Sequence, residues 1–354
     1  EMLPTGKKRG ICDIGTLRTN LTGFVVESLK VAMSNLYTYN GCDFHFVKTA
    51  DRDGIASLFN DILLASNDVF AFHGDDSIGG FECIDGRIMF NSDISKCDGS
   101  HGGALVHELH KMISRVVGGT GFRDYFDYAF SLLNKDLYYY NPKNRKEYVS
   151  YKFSQPRLYS GSVLTTVMNS FANLLIGLYV QSKPRVLRKD FVQHFTNCAK
   201  EVGYIVTVQV CKYPEQLQFL KMSPHFTQNQ ELCVINNIGT CLRSFGFYHG
   251  DLPGRGDIRQ RAVDYIGGIV QSRVHWGNHI ISNAFIECIM RMTPAFRGSS
   301  LQCSTPYVSI ESLCVRYGCA SDELCELALL ISHATLGDVI KHPLIDVIYQ
   351  VDYG

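Results

Sequence analysis

Two tight turns set close together constrain this chain more than any other feature. Val69-Phe70-Ala71-Phe72-His73 is a short apolar run rich in β-formers, and Gly74-Asp75-Asp76 ends it. Ser77 to Ile84 follows as a second strand-like stretch containing Gly79-Gly80, and Asp85-Gly86 is a strong hairpin-turn pair. Arg87-Ile88-Met89-Phe90 then runs as a third strand into Asn91-Ser92-Asp93. Strands joined by turns this short pair antiparallel, since a parallel connection needs a crossover of about a dozen residues or more. The acidic residues therefore fall at strand ends and turns of one small antiparallel unit.

Apolar periodicity assigns most of the remainder. Helical spacing covers Leu21 to Leu36, Ile55 to Leu64, Gly103 to Val117, Asp124 to Leu137, Leu164 to Gln181 and Lys189 to Glu201. Tyr204 to Cys211 alternates β-branched residues and reads as a strand, and Gln216 to Leu220 as a shorter one. Asn141 to Gln155 is polar and basic, a loop or short strand. Beyond about residue 225 the pattern is mostly helical: Arg259 to Ser272, Ile280 to Met292, Ile310 to Tyr317 and Ser321 to Ser332. The class expected is α+β, with a mixed middle and a helical end.

The 354 residues suffice for two or three subdomains, and 45% apolar with 19% charged residues describes a globular chain. The longest near-apolar run, Ser170 to Val180, is broken by Asn173 and is far short of the roughly 20 residues a membrane span needs. No signal peptide opens the chain. It begins with Glu1, which reads as a processed product or a fragment. The 13 cysteines are scattered, and read as reduced thiols of a cytosolic compartment. Cys303, Cys314, Cys319, Cys325 and His333 lack the C-x-x-C spacing of a zinc site.

Net charge is zero, yet its distribution is uneven. Lys135 to Lys200 holds 11 Lys/Arg against three acids, whereas Asp75 to Asp98 holds six acids against Arg87 and Lys96. Basic walls around an acidic centre suit a protein that grips a polyanion through cations. Chance clustering of surface charge is the plain alternative.

Three local patterns carry chemistry. Gly74-Asp75-Asp76 presents two adjacent carboxylates from a turn, and oxygen ligands suit Mg²⁺ or Mn²⁺. Asp93-Ile-Ser-Lys-Cys-Asp98 places one carboxylate at a strand end and a second beyond it. Ser160-Gly161-Ser162-Val163-Leu164-Thr165-Thr166-Val167-Met168-Asn169 opens a helix, with Thr165 and Asn169 on one face. Each pattern alone is also met as an acidic surface turn, a chance pair of Asp, or an ordinary capped helix.

Together the three resemble the palm motifs of viral RNA-directed RNA polymerases: GDD is similar to motif C, D-x₄-D to motif A, and S-G-x₃-T-x₃-N to motif B. Gly203 to Lys212 resembles motif D, Phe219-Leu220-Lys221 the primer grip of motif E, and Lys7-Lys8-Arg9 with Arg18 the basic motif F. The resemblance covers roughly residues 7 to 221. The order here is C, A, B rather than A, B, C, which resembles the permuted polymerases of permutotetraviruses and, more distantly, birnaviruses, which have Ala-Asp-Asn in place of Gly-Asp-Asp. A metal site needs carboxylates at fixed points in space and is indifferent to chain order.

The resemblance implies a right hand with an antiparallel-sheet palm of permuted connectivity. Residues 1–68 would supply part of the fingers, 69–221 the palm with a fingers insertion at about 115–157, and 222–354 a helical thumb. Further fingers residues would lie upstream of Glu1. It implies two metal ions, Mg²⁺ or Mn²⁺, on Asp75, Asp76 and Asp93, with Lys212 as general acid. Asp98 and Asn169 would bind the ribose 2′-hydroxyl, supported by Thr165. Ser160 and Gly161 would form the loop beneath the nascent pair. Lys8, Arg9 and Arg18 would contact the triphosphate, and Arg157, Phe219 and Lys221 the RNA. The basic stretch Lys143 to Arg157 would line the RNA channel, or be an ordinary solvated loop. Tyr138-Tyr139-Tyr140 could stack on bases but is expected rather as a buried aromatic patch, and His73 is expected to pack or contact the primer rather than ligate metal. Implied partners are RNA template, nascent RNA, NTPs and other viral replication proteins, in the host cell cytoplasm or the virion. Two alternatives stand: a reverse transcriptase-like DNA polymerase on the same palm, and a catalytically inactive RNA-binding scaffold.

Overall fold

The computed structural model describes residues 15–35, 37–49, 51–141, 143–158, 161–244, 252, 254–271, 276–292, 306–335 and 337–354. The chain is of mixed α+β class and divides into two compact units. One comprises Glu1–Thr49 and Ser66–Val210, the other Ala50–Ala65 and Cys211–Gly354. Strands before residue 49 belong to the same sheet as the acidic turns.

The first unit begins with helix α1 (Thr16–Met33) and the short antiparallel strands β1 (Tyr37–Tyr39) and β2 (Cys42–Phe46). The connection that follows carries α2 (Arg52–Leu64), part of the other unit. The chain then supplies β3 (Asp68–His73), β4 (Asp76–Cys83) and β5 (Gly86–Ile94). As the turn chemistry predicts, β3, β4 and β5 pair antiparallel in sequence, whereas β2 lies parallel to β3. Helices α3 (Cys97–Ser100), α4 (Gly103–Val117) and α5 (Arg123–Ser131) come next. The helix expected over Asp124 to Leu137 stops early. A single 3₁₀ turn, Leu132–Asn134, ends it, and the β-forming tyrosines open hairpin β6 (Leu137–Asn141) and β7 (Asn144–Tyr151). Helices α6 (Thr165–Gln181) and α7 (Phe191–Glu201) precede β8 (Val206–Cys211), which completes the sheet order β1-β2-β3-β4-β5-β8.

The sheet buries Phe44, Phe70, Phe81 and Phe90 against Ala172 and Ile176 of α6 and Phe191 and Phe195 of α7. Contact between α6 and the sheet is close enough to require glycine at one point. A Cβ at Gly177 would meet the Phe70 ring at 2.7 Å and the Phe44 ring at 2.8 Å. The N-terminal turns of α6 belong to a second core, with Val25 of α1, Leu109 of α4 and Phe130 of α5.

The expected buried tyrosine patch is a correction. Tyr138, Tyr139, Tyr140, Tyr148 and Tyr151 are all exposed. Among the described residues no second layer covers this two-stranded hairpin, and the rings pack on one another, Tyr138 edge-on to Tyr148 at 5.4 Å.

The second unit holds α2, whose N-cap Asp51 accepts from the Gly54 N–H at 2.8 Å. It also holds the antiparallel strands β9 (Met222–Phe226) and β10 (Leu232–Asn236). The strand expected at Gln216 to Leu220 is displaced. Pro214–Gln216 forms a 3₁₀ turn, Leu220 and Lys221 turn the chain at φ 52° and 62°, and pairing begins at Met222. Helices α8 (Ile238–Ser244), α9 (Ile258–Gln271), α10 (Ile280–Met292), α11 (Ile310–Tyr317), α12 (Ser321–His333) and α13 (Pro343–Tyr353) follow. Their core gathers Ile235, Trp276, Phe285, Leu313, Leu327 and Ile348. Within it Arg316 and Asp352 form a buried ion pair at 2.7 Å. Among the described residues no helix is long and apolar enough to cross a membrane.

Candidate metal and nucleotide site

The carboxylates converge because the two hairpins share β4. Gly74 takes φ 62° in the turn between β3 and β4, a left-handed conformation open to glycine at little cost. Asp75 completes that turn, and Asp76 opens β4 directly opposite Asp93 of β5. Oxygens of Asp75, Asp76 and Asp93 all lie within 4.8 Å of one another. Asp75 and Asp76 are half-buried and Asp93 is exposed. Three like charges this close repel, and a divalent cation relieves that repulsion. The all-oxygen donor set fits a hard cation such as Mg²⁺ or Mn²⁺. Among the described residues this is the one His/Cys/Asp/Glu cluster of three or more whose ligand atoms converge.

The turn is clamped from α6. Ser170 Oγ accepts from the Gly74 N–H at 2.8 Å. Asn173 Nδ2 donates to Gly74 O at 2.9 Å and Asp75 O at 3.1 Å. Both side chains are buried, as is the turn glycine. One residue inward, the hydroxyls of Ser77 and Ser92 meet at 2.5 Å and tie β4 to β5 behind the paired carboxylates. His73 packs as expected, its ring stacked on Phe46 and its Nδ1 2.6 Å from Val47 O.

A second polar group follows β5. Lys96 turns the chain at φ 53°, and Asp98 lies in the single turn of α3. Asn169 Nδ2 donates to Asp98 Oδ1 at 2.8 Å, although the two are far apart in sequence. Asn169 Oδ1 lies 2.8 Å from His101 Nε2, and His101 Nδ1 lies 3.0 Å from the Tyr204 hydroxyl. Burial lowers the His101 pKa, against the opposing pull of the Asn169 hydrogen bond and the Asp98 charge. Burial likewise raises that of the Tyr204 phenol. The Cys97 thiol is pushed up by burial first and then by the charges of Asp75, Asp98 and Asp93, so it stays protonated.

Of the other expected residues, Thr165 begins α6, its N–H on Ser162 O at 3.1 Å, one helical turn before Asn169 on the same face. Gly161 stands in the turn ahead of it, φ 93°. Ser160, Lys8 and Arg9 lie outside the described residues. Arg18 is exposed on α1. Arg157 is exposed, its N–H on Leu133 O at 3.0 Å and its guanidinium 5.6 Å from the Phe153 ring centroid.

Lys212, Phe219 and Lys221 belong to the other unit. Lys212 is exposed, its ammonium 5.1 Å from the Tyr213 ring centroid. The RNA-contact expectation for Phe219 needs correcting. Phe219 is fully buried, so its ring is core. Lys221 is half-buried, donates to Asp352 O at 3.0 Å and lies over the Tyr353 ring.

Ser170, Asn173, His101 and Tyr204 were not singled out by motif spacing. A signal was present for two of them: Ser170 and Asn173 are polar residues in the most apolar stretch of the chain, three apart and therefore on one helix face. His101 and Tyr204 carry no comparable mark, because their pairing is created only by the fold.

No protein-family model matches the chain, and no curated protein matches it. Among solved structures, the chain is similar to birnavirus VP1 in its complex with VP3, at a TM-score of 0.41 and 11% identity. The match covers 67% of this chain and 33% of that one, so this chain spans about a third of that protein's length.

Proposed function

We propose that this chain is the catalytic portion of a viral RNA-directed RNA polymerase whose palm motifs run in the order C, A, B. The observation that carries the reading is the convergence of Asp75 and Asp76 with Asp93 within 4.8 Å, beside the Asp98–Asn169 hydrogen bond of 2.8 Å. A carboxylate trio alone is a metal site of many uses. A trio beside an Asp–Asn pair offers both a centre for phosphoryl chemistry and a donor–acceptor pair for a sugar hydroxyl.

In this reading the 3′-oxygen of the growing RNA attacks the α-phosphorus of an NTP. The new P–O bond forms as the bond to the pyrophosphate oxygen breaks, and the 3′-hydroxyl proton leaves to solvent. Asp75, Asp76 and Asp93 would hold two Mg²⁺ or Mn²⁺ ions. When bound, these lower the pKa of the attacking hydroxyl and neutralise charge on the leaving group. The clamp from Ser170 and Asn173 fixes the turn backbone, so the carboxylates keep their spacing without reorganisation. Asp98 accepts from, and Asn169 donates to, the ribose 2′-hydroxyl, which is itself both donor and acceptor. Thr165 supports that pair from the same helix face. Gly161 with Ser160 gives the loop before α6 its freedom beneath the new base pair. Lys212 is assigned the protonation of the leaving pyrophosphate. Lys8, Arg9 and Arg18 are assigned to the triphosphate, and Arg157 with the basic β6–β7 region to the RNA. The sheet with α6 and α7 plays the palm, and the helices of the second unit the thumb. Host-cell cytoplasm, or the virion, and other viral replication proteins complete the proposed setting.

Primer extension on a short RNA template with NTPs and Mg²⁺ or Mn²⁺ tests the reading, with Asp75→Ala and Asp93→Ala beside the wild type. Loss of product in both, by roughly a hundredfold or more, supports one site built from both hairpins. Product unaffected by Asp75→Ala sinks it. A preference for dNTPs would favour the reverse transcriptase-like alternative, and RNA binding without turnover the inactive scaffold.

A further inference from the structure

The Asp98–Asn169 pair can discriminate only if the amide of Asn169 is held one way round. With its nitrogen toward Asp98 it offers a donor beside an acceptor. Flipped, it sets a carbonyl oxygen against a carboxylate. The fold contains a device that decides between these. Asn169 is buried, with Asp98 on one side and His101 on the other, each at 2.8 Å. His101 is itself buried, and its second nitrogen meets the Tyr204 hydroxyl at 3.0 Å.

The donors and acceptors in this chain can be assigned from its two ends. An ionised carboxylate only accepts, so the Asn169 atom facing Asp98 is the nitrogen. Asn169 then turns its oxygen to His101, and an amide oxygen only accepts, so Nε2 carries the proton. A neutral imidazole has one donor and one acceptor nitrogen, so Nδ1 is bare and accepts from the Tyr204 O–H. The other end gives the same answer. A phenol hydroxyl can donate or accept, but it is the stronger donor, so facing Nδ1 it favours the Nε2–H tautomer, which favours the Asn169 oxygen on its side. Every hydrogen bond in the series agrees with its neighbours, and flipping the Asn169 amide or moving the imidazole proton to Nδ1 breaks the bond between them.

We infer that Tyr204 and His101 are positioning residues. Through the Nε2–H tautomer they orient the Asn169 amide toward Asp98, and so set the selectivity of that pair for a ribose over a deoxyribose substrate. This rests on the polymerase reading for its nucleotide but not for its tautomer. Neither residue touches substrate; both act through Asn169. Tyr204 comes from the approach to β8, His101 from the segment after α3 and Asn169 from α6, so three elements meet here for a purpose that packing alone does not require.

Two measurements test it. The first needs no activity: long-range ¹⁵N–¹H correlation of the imidazole reports the tautomer directly. Wild type is expected to show His101 neutral with the proton on Nε2, and Tyr204→Phe a mixture of tautomers. A wild-type His101 that is charged, or protonated on Nδ1, overturns the inference. The second is single-nucleotide addition with NTP and the matching dNTP. Tyr204→Phe removes one hydroxyl and keeps the ring, so the fold is retained. It is expected to lower the NTP-over-dNTP ratio about three- to tenfold, the scale of one hydrogen bond, through NTP use, with dNTP parameters unchanged. His101→Gln, which can still donate to Asn169, should retain more of the ratio than His101→Ala.

In an Asn169→Ala background, Tyr204→Phe should have no further effect on the ratio. Equal loss for NTP and dNTP, or the same loss without Asn169, would show a merely structural role and overturn the inference. If no version extends a primer yet the tautomer is as stated, the polymerase reading fails while the orienting relay stands.

Discussion

Asn173→Ala is the sharpest test of how the acidic turn is held. The side chain removed is buried and donates from one nitrogen to Gly74 O at 2.9 Å and Asp75 O at 3.1 Å. Asp75 O keeps the Ile94 N–H at 3.4 Å, so the heavier loss falls on Gly74 O, within a buried turn. Two ordinary hydrogen bonds are worth about 1 kcal/mol each, and a buried carbonyl left without a donor costs roughly 1–3 kcal/mol. With some relaxation of the turn, the expected loss is about 2–4 kcal/mol. Urea unfolding should show it as a lower midpoint with the slope unchanged. Mn²⁺ titration followed by the loss of the free-ion resonance should show affinity reduced about 10- to 100-fold, as is usual when a group orienting a ligand is removed. Asn173→Asp should be no better, since it sets a carboxylate against two carbonyl oxygens. A variant with the wild-type midpoint and wild-type Mn²⁺ affinity would show that α6 does not hold the turn.

Three further outcomes are expected. Gly177→Ala gains about 1 kcal/mol of helix propensity but drives a methyl to within 2.7–2.8 Å of the Phe70 and Phe44 rings; overpacking of about 1–3 kcal/mol wins, and the unfolding midpoint should fall. Asp352→Ala leaves Arg316 buried beside Gln218 without its carboxylate, and calorimetry should show a loss of about 3–5 kcal/mol. Stability should also decline as pH falls below about 6.5: burial depresses the His101 and His225 pKa values, so the unfolded chain binds more protons through the window between their folded values and 6.5. Unfolding free energy then rises with pH there, and His225→Gln should flatten the slope; a midpoint independent of pH from 7.5 down to the carboxylate range would contradict it.

The sheet around the acidic turns was legible because its information is local. Gly74-Asp75 and Asp85-Gly86 fix turns, and turns this short leave antiparallel pairing as the one option, so strands Asp68–His73, Asp76–Cys83 and Gly86–Ile94 follow within a residue or two. Strands whose partners are distant were harder. Nothing near Tyr37–Tyr39 or Cys42–Phe46 says that they extend this sheet, and the parallel pairing of β2 with β3 is decided by burial across a connection that belongs to another unit. Tyr138 to Tyr140 failed for the opposite reason: composition promised burial, but a lone hairpin supplies no layer to bury them. At Phe219 a motif-like spelling met a core position, which spacing cannot distinguish from a surface one.

The candidate site divides along the same line. Asp75, Asp76 and Asp93 could be found from the sequence because register does the geometric work: once β4 and β5 pair through the Ile84-Asp85 turn that Gly86 closes, the alignment that puts Cys83 opposite Gly86 also puts Asp76 opposite Asp93. Asp98 and Asn169 could be found from spacing but not shown to touch. What makes either group precise enough for chemistry is the buried polar layer behind it, Ser170 with Asn173 for one and His101 with Tyr204 for the other. Such residues are costly in an apolar interior unless each is paired, so a polar residue inside the most apolar helix of a chain is itself a signal. Asn173 interrupts the run that otherwise looks most like a simple core helix, and the interruption sits under the acidic turn. A buried amide there donates to both carbonyls of the turn above it, and an aliphatic residue of the same volume would remove that donor from Gly74 O and leave Asp75 O only the longer bond from the Ile94 N–H.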